Sequence, residues 1–177
     1  TAISSAGTAI SGSIAVTSGN NMSSSELAAM DILTTGTITA TISDGGLDAL
    51  ASLTNVNTNN ALTIVVADAA ATAVELNTLN DMTSLNVTAS AVEAIESSAV
   101  SAVKTLITNA TAAGIDTDYT VTLSDDSIAA TDITTVDTHT SGLVTVNATT
   151  ITGDHADITT AISSAGTAIS GSIAVTS

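Results

Sequence analysis

Apolar and polar residues alternate in short runs along this chain, and between the runs the spacing changes to three or four. In SIAVTS (13–18), TITATIS (37–43) and TVTLSD (120–125), β-branched residues recur at every second place, the pattern of half-buried strands. Ile14, Val16, Ile38, Ala40, Ile42, Val121 and Leu123 form the inward sides, and Thr37, Thr39, Thr41, Thr120 and Thr122 face outward. Leu27, Met30 and Leu33 follow helical spacing, as do Val92, Ile95, Ala99, Val103 and Leu106, so a helix is predicted from Val92 to Asn109. Ser23 with Glu26 and Thr72 with Glu75 are spaced as capping boxes, in which each partner satisfies an exposed backbone N–H. Gly45, Gly114, Gly153 and Gly166 punctuate the elements, and without Pro the turns fall to Gly, Asn and Asp.

The two ends are the same. TAISSAGTAISGSIAVTS at 1–18 returns unchanged at 160–177, an offset of 159 residues. This is the mark of a tandem array, here one 159-residue repeat and the start of the next, within a larger protein. Three diverged units lie inside the repeat, at 12–60, 61–118 and 119–170, aligned by the columns Leu27, Leu76 and Ile133; Met30, Leu79 and Val136; Leu33, Met82 and His139. Each unit reads strand, short helix, strand, helix. Connections of that length exclude hairpins, so adjacent strands are expected to be parallel with right-handed crossovers. The expected fold is an α/β solenoid, one continuous domain over 1–177. In it a parallel strand stack has short helices or 3₁₀ turns between strands, with about six coils per repeat advancing roughly 29 Å. An all-β parallel β-helix is the alternative, because stretches such as ELNTLND (75–81) are short enough to be turns.

Composition narrows the function. Seventeen Asp and Glu oppose a single cation, Lys104, for a net charge of -16, which leaves nothing to neutralise phosphates and is repelled by anionic membranes. No apolar run approaches the roughly 20 residues of a membrane span, and no leader segment is recognisable, since residue 1 does not resemble a natural start. The absence of Cys removes disulfides, thiolate metal sites and thiol catalysis. With one aromatic residue, Tyr119, and a mean hydropathy of +0.49, a thin repetitive core of small aliphatic side chains suits the chain better than a thick one.

No catalytic constellation or cofactor motif stands out. His139 falls in the column of Leu33 and Met82 and reads as an apolar-face position. His155 lies between Asp154 and Asp157, a cluster that reads either as a solvated turn or as ligands for a divalent ion. Asp44, Asp68, Asp125 and Asp126 each follow a strand, with Ser18, Ser90 and Asn147 at nearby places in other coils. Aligned along one edge, these carboxylates form either a solvated acidic border or a series of oxygen ligands for Ca²⁺. The outward Thr columns resemble the hydroxyl arrays of ice-binding solenoids, although Val65, Ala15, Asn86 and Leu143 interrupt them.

The phrases AVELNTLNDMTS, TVTLSDDSIAATDITTVD and GLVTVNATTITGDHADITTAI resemble the degenerate repeats of giant bacterial cell-surface proteins, found in cyanobacteria and green sulfur bacteria among others. The resemblance implies a secreted, cell-surface, adhesin-like or fibre-forming role, and it supplies no site residues. The expectation is a non-enzymatic structural segment of an extracellular filament, stalk or fibre, whose partners are its own neighbouring repeats end to end. An adhesin or other surface-binding module, including an ice binder, is the alternative. The repeated SGSIAVTS also suits end-to-end association, because open strand edges at the two ends can template one another.

Overall fold

The computed structural model describes residues 13–109, 114–164, 166–169 and 174–176. Gly12 and Ser170, which bound two of the repeat units, lie outside the described residues. Among the described residues the strand pairing is parallel, and the strands fall into three sheets. The first contains β1 (Val16–Thr17), β2 (Ile38–Thr41) and β3 (Ala61–Thr63). The second orders β10 (Thr167–Ile169), β8 (Val144–Val146), β6 (Thr120–Leu123), β5 (Ala94–Ser98) and β4 (Ala70–Thr72). The third orders β11 (Ala174–Thr176), β9 (Thr150–Thr152) and β7 (Ser127–Ala129). Six α-helices are described: α1 (Ser24–Asp31), α2 (Leu47–Leu50), α3 (Ala73–Asp81), α4 (Val100–Thr108), α5 (Ala130–Asp137) and α6 (His155–Ser163). A 3₁₀ helix, Ala51–Asn55, continues α2.

Neither expected architecture describes this molecule. The α/β solenoid and the all-β parallel β-helix both call for one uninterrupted strand stack. The strands instead divide among three parallel sheets, and with six helices they make a mixed α/β fold. One cause of the division is visible at β3. Thr83 Oγ1 accepts from Leu62 N and donates to Leu62 O, both at 2.8 Å, so a side chain occupies the backbone groups that a fourth strand would use. Beyond it, pairing shrinks to the isolated bridge Val65 to Thr88.

Residues 92–109 depart from the expected single helix. They form strand β5 followed by helix α4. The apolar positions fit either period at Ile95, and pairing decides: Glu93 N and Ala94 N donate to Ala69 O, and β5 lies between β4 and β6. Local spacing yields to ladder bonds on two sides.

Paired strands are consecutive in the first sheet and every second one among β6, β8 and β10. Val16 lies opposite Ile38, Val121 opposite Val144, and Val144 opposite Thr167. The helices pack likewise in chain order, α3 on α4, α4 on α5 and α5 on α6, with the 3₁₀ helix between α1 and α3. The inward alternation predicted for the strands is realised in Ile38, Ala40, Ile42, Val121 and Leu123, all buried, but not at Ile14, which is 51 % exposed. Leu27, Leu76 and Ile133 bring the helices onto the same core, which is built from Ile, Leu, Val and Ala together with Met22, and with Tyr119 as its one aromatic side chain. Both capping boxes form: Glu26 N and Glu75 N each donate 3.2 Å to the hydroxyl of Ser23 or Thr72, and each carboxylate accepts the cap residue's N–H at 2.8 Å.

Two glycines mark where the chain passes closest to its neighbour. A Cβ at Gly36 would overlap Ile14 O, and one at Gly142 would overlap Tyr119 O. The obstructing atoms are backbone, so a side chain here forces the two segments apart. Gly142→Ala is therefore expected to lower stability by about 1–3 kcal/mol in urea denaturation. Gly19→Ala, where a Cβ meets nothing within 4 Å, should change it by no more than about 0.5 kcal/mol; equal effects would contradict the close approach.

Candidate functional site: two polar borders between neighbouring segments

Strand segments of two to five residues leave many backbone groups at bends and helix ends, and a buried one must find a partner. At the start of α1, α2, α3 and α4 the partner is a side chain from the next segment. The first N–H of α1, Ser24 N, donates to Asp44 Oδ2 at 2.6 Å. Leu47 N at the start of α2 donates to Asp68 Oδ2 at 2.8 Å. Val100 N at the start of α4 donates to Asp125 Oδ2 at 2.7 Å. In α3 the same place is served by a hydroxyl, Ala73 N donating to Ser98 Oγ at 3.0 Å. A carboxylate facing a helix N-terminus also complements its partial positive charge.

Three of the four strand-end aspartates thus share one role, and Asp126 does not. Asp126 is exposed, and its backbone carbonyl accepts from Thr149 N at 2.9 Å and Thr150 N at 3.1 Å. Ser98, not Ser90, completes the series. The second predicted cluster stays apart: Asp154 precedes α6 without a side-chain cap bond, His155 is exposed, and Asp157 lies in the first turn. Among the described residues no three His, Asp or Glu side chains are grouped to hold a metal ion. Calcium needs about six to eight converging oxygens, and the carboxylates of Asp44, Asp68 and Asp125 present theirs singly to amide hydrogens. The donor set does not fit Ca²⁺.

A second border follows the helices. Thr34, Asn60, Thr83 and Thr140 are buried polar residues, each bonded to the backbone of another segment. Thr34 Oγ1 donates to Ile14 O at 2.6 Å and accepts from Gly36 N at 3.0 Å. Thr140 repeats this, donating to Tyr119 O and accepting from Gly142 N at 3.0 Å. Asn60 Oδ1 accepts from Ile38 N at 2.8 Å, and its Nδ2 donates to Asp31 Oδ1 at 2.9 Å. Asp31 and Asp137 end α1 and α5, where the helix dipole disfavours a carboxylate. Donors from the following segment offset this: Asn57 N and Nδ2 to Asp31, both at 3.0 Å, and Ser164 Oγ to Asp137 at 2.6 Å. Sequence reasoning missed this border. Its signal is Thr or Ser two places before Gly, in Thr34 with Gly36, Thr140 with Gly142 and Ser164 with Gly166.

The lone aromatic ring and one imidazole meet beside it. Tyr119 Oη lies 3.4 Å from His139 Nδ1 at a cleft also lined by Leu106, Ile115 and Asp116. Burial pushes the Tyr119 hydroxyl pKa up, which keeps it protonated. Lys104 bridges α4 to α5 through Asp132 at 2.6 Å. The chain matches no family model, no curated protein and no solved structure.

Two outcomes follow. Thr83→Val keeps the shape but leaves Leu62 N–H and C=O unpaired, and should cost about 1–3 kcal/mol in chemical denaturation; Thr39→Val, at an exposed position, should stay within about 0.5 kcal/mol. Glu26 has its pKa lowered, first by the backbone bond from Ser23 and then by the Ser23 hydroxyl. A folded-state pKa below the unfolded value stabilises above the unfolded pKa and is lost as pH falls through the folded one. The stability difference between the native chain and Glu26→Gln should therefore close as pH drops below the ordinary glutamate range; a gap that persists at low pH would exclude the ionised capping box.

Proposed function

We propose that this chain is a non-catalytic structural segment of an extracellular filament, stalk or fibre, assembled from tandem copies of a 159-residue unit. The observation behind this reading is the unchanged return of residues 1–18 at 160–177. Identical ends let units be added without redesigning the contact between them, so length grows with copy number. Several polar side chains in this molecule join one segment to the next, as in the bonds of Asp44, Asp68, Asp125 and Thr83. A net charge of -16 keeps neighbouring threads apart in solution. The secreted, cell-surface setting is part of the proposal and rests on the resemblance to giant bacterial surface repeats.

Electron microscopy of chains carrying two, four and eight tandem units tests the reading directly. Threads whose length rises in proportion to unit number, unchanged by EDTA, are expected. Compact particles at every copy number would overturn it and favour a binding module, with the cleft at Tyr119 and His139 as the place to look. Antibodies to the chain should label intact source cells; labelling only after permeabilisation would remove the surface placement.

A further inference from the structure

The three residues Ala-Val-Thr contribute a strand at each end of the molecule, Val16–Thr17 following Ala15 at the start and Ala174–Thr176 at the end. They do so with different neighbours. At the start, Val16 and Thr17 pair with Ile38 and Thr39 of β2. At the end, Ala174, Val175 and Thr176 pair with Thr150, Ile151 and Thr152 of β9.

The bonds on the two sides use different backbone groups. Val16 N donates to Thr37 O at 3.0 Å, and Ser18 N donates to Thr39 O at 2.9 Å. At the other end, Ala174 N donates to Thr149 O at 2.9 Å, and Thr176 O accepts from Gly153 N at 3.2 Å. Ala174 and Thr176 correspond to Ala15 and Thr17. One neighbour is therefore bonded by Val and Ser, and the other by Ala and Thr. Alternate residues of a parallel strand direct their N–H and C=O to opposite edges, so the two sets of bonds do not compete. The side chains agree as well. Val16 lies opposite Ile38 and Val175 opposite Ile151, and both isoleucines are fully buried, whereas Val175 is 55 % exposed.

We infer that in a tandem array these are one and the same strand. It bonds β9 of one unit through Ala and Thr and β2 of the following unit through Val and Ser, and its valine sits between Ile151 and Ile38. The two three-stranded sheets then merge in the order β7, β9, shared strand, β2, β3. The result is a five-stranded parallel sheet, equal in strand number to the β4–β10 sheet. The inference rests on the tandem-array reading proposed above and supplies its junction, whose occupant is the next copy of this unit.

Amide hydrogen exchange by NMR tests it on a two-unit chain, residues 1–159 followed by 1–177, with the 177-residue chain as reference. In the reference, Val16 and Ser18 should exchange slowly and Ala15 quickly, with Ala174 slow at the far end. In the central copy of the two-unit chain, the alanine, valine and serine amides should all be slow. The alanine amide there should exchange on the order of a hundredfold more slowly than Ala15 of the reference. Protection at only one alternate set, or at neither, overturns the shared strand. Extended threads with one-sided junction protection would reject the junction alone, and compact particles would reject the filament reading independently of the amides.

Discussion

The structure depends on satisfying the backbone groups of short elements with side chains from the neighbouring segment. No strand exceeds five residues and no helix exceeds nine among the described residues, so a large share of N–H and C=O groups falls at an element's end. Isolated helices of this length are marginal in water. Here the first N–H of α1, α2 and α4 is held by a carboxylate one segment further on, at Asp44, Asp68 and Asp125. The apolar core supplies cohesion without direction. The polar borders on either side of it give each segment its register against the next, because a displacement strands several buried donors and acceptors together.

A small alphabet makes this arrangement workable. Thr and Ser are short enough to bond backbone at close range, and Thr83 holds both groups of Leu62 with one hydroxyl. Gly at 36 and 142 lets the chain come near enough for Thr34 and Thr140 to reach Ile14 O and Tyr119 O. Core and border are therefore coupled. Bulkier side chains at the crossings would separate the segments and remove the hydrogen bonds that align them.

How much of this was legible in the sequence differs between the local and the distant. Capping boxes at Ser23 and Thr72 were readable because both partners lie within four residues. So were the inward faces at Ile38, Ala40, Ile42, Val121 and Leu123, since period-two alternation is a direct image of burial. The helix expected from Val92 was overruled by β4 and β6, whose pairing with β5 no local window contains. The division into three sheets was hidden for the same reason: it turns on contacts between residues about twenty places apart, such as Thr83 on Leu62. Of the four strand-end aspartates, Asp44, Asp68 and Asp125 share a role that their sequence positions do not reveal and Asp126 does not, because their partners, helix N–H groups of the preceding segment, appear only when the segments are placed side by side.

The ion pair between Lys104 and Asp132 has a consequence for digestion. Lys104 is the chain's only lysine or arginine, so a trypsin-like enzyme meets a single cleavable bond in 177 residues. That bond lies within α4, a helix packed between α3 and α5, and the lysine ammonium is held by a carboxylate of α5. Proteolysis at this residue requires the helix to open first. Whatever else surrounds it, the folded chain offers basic-residue proteases one site, and that site is guarded by the same contact between neighbouring segments that orders the rest of the molecule.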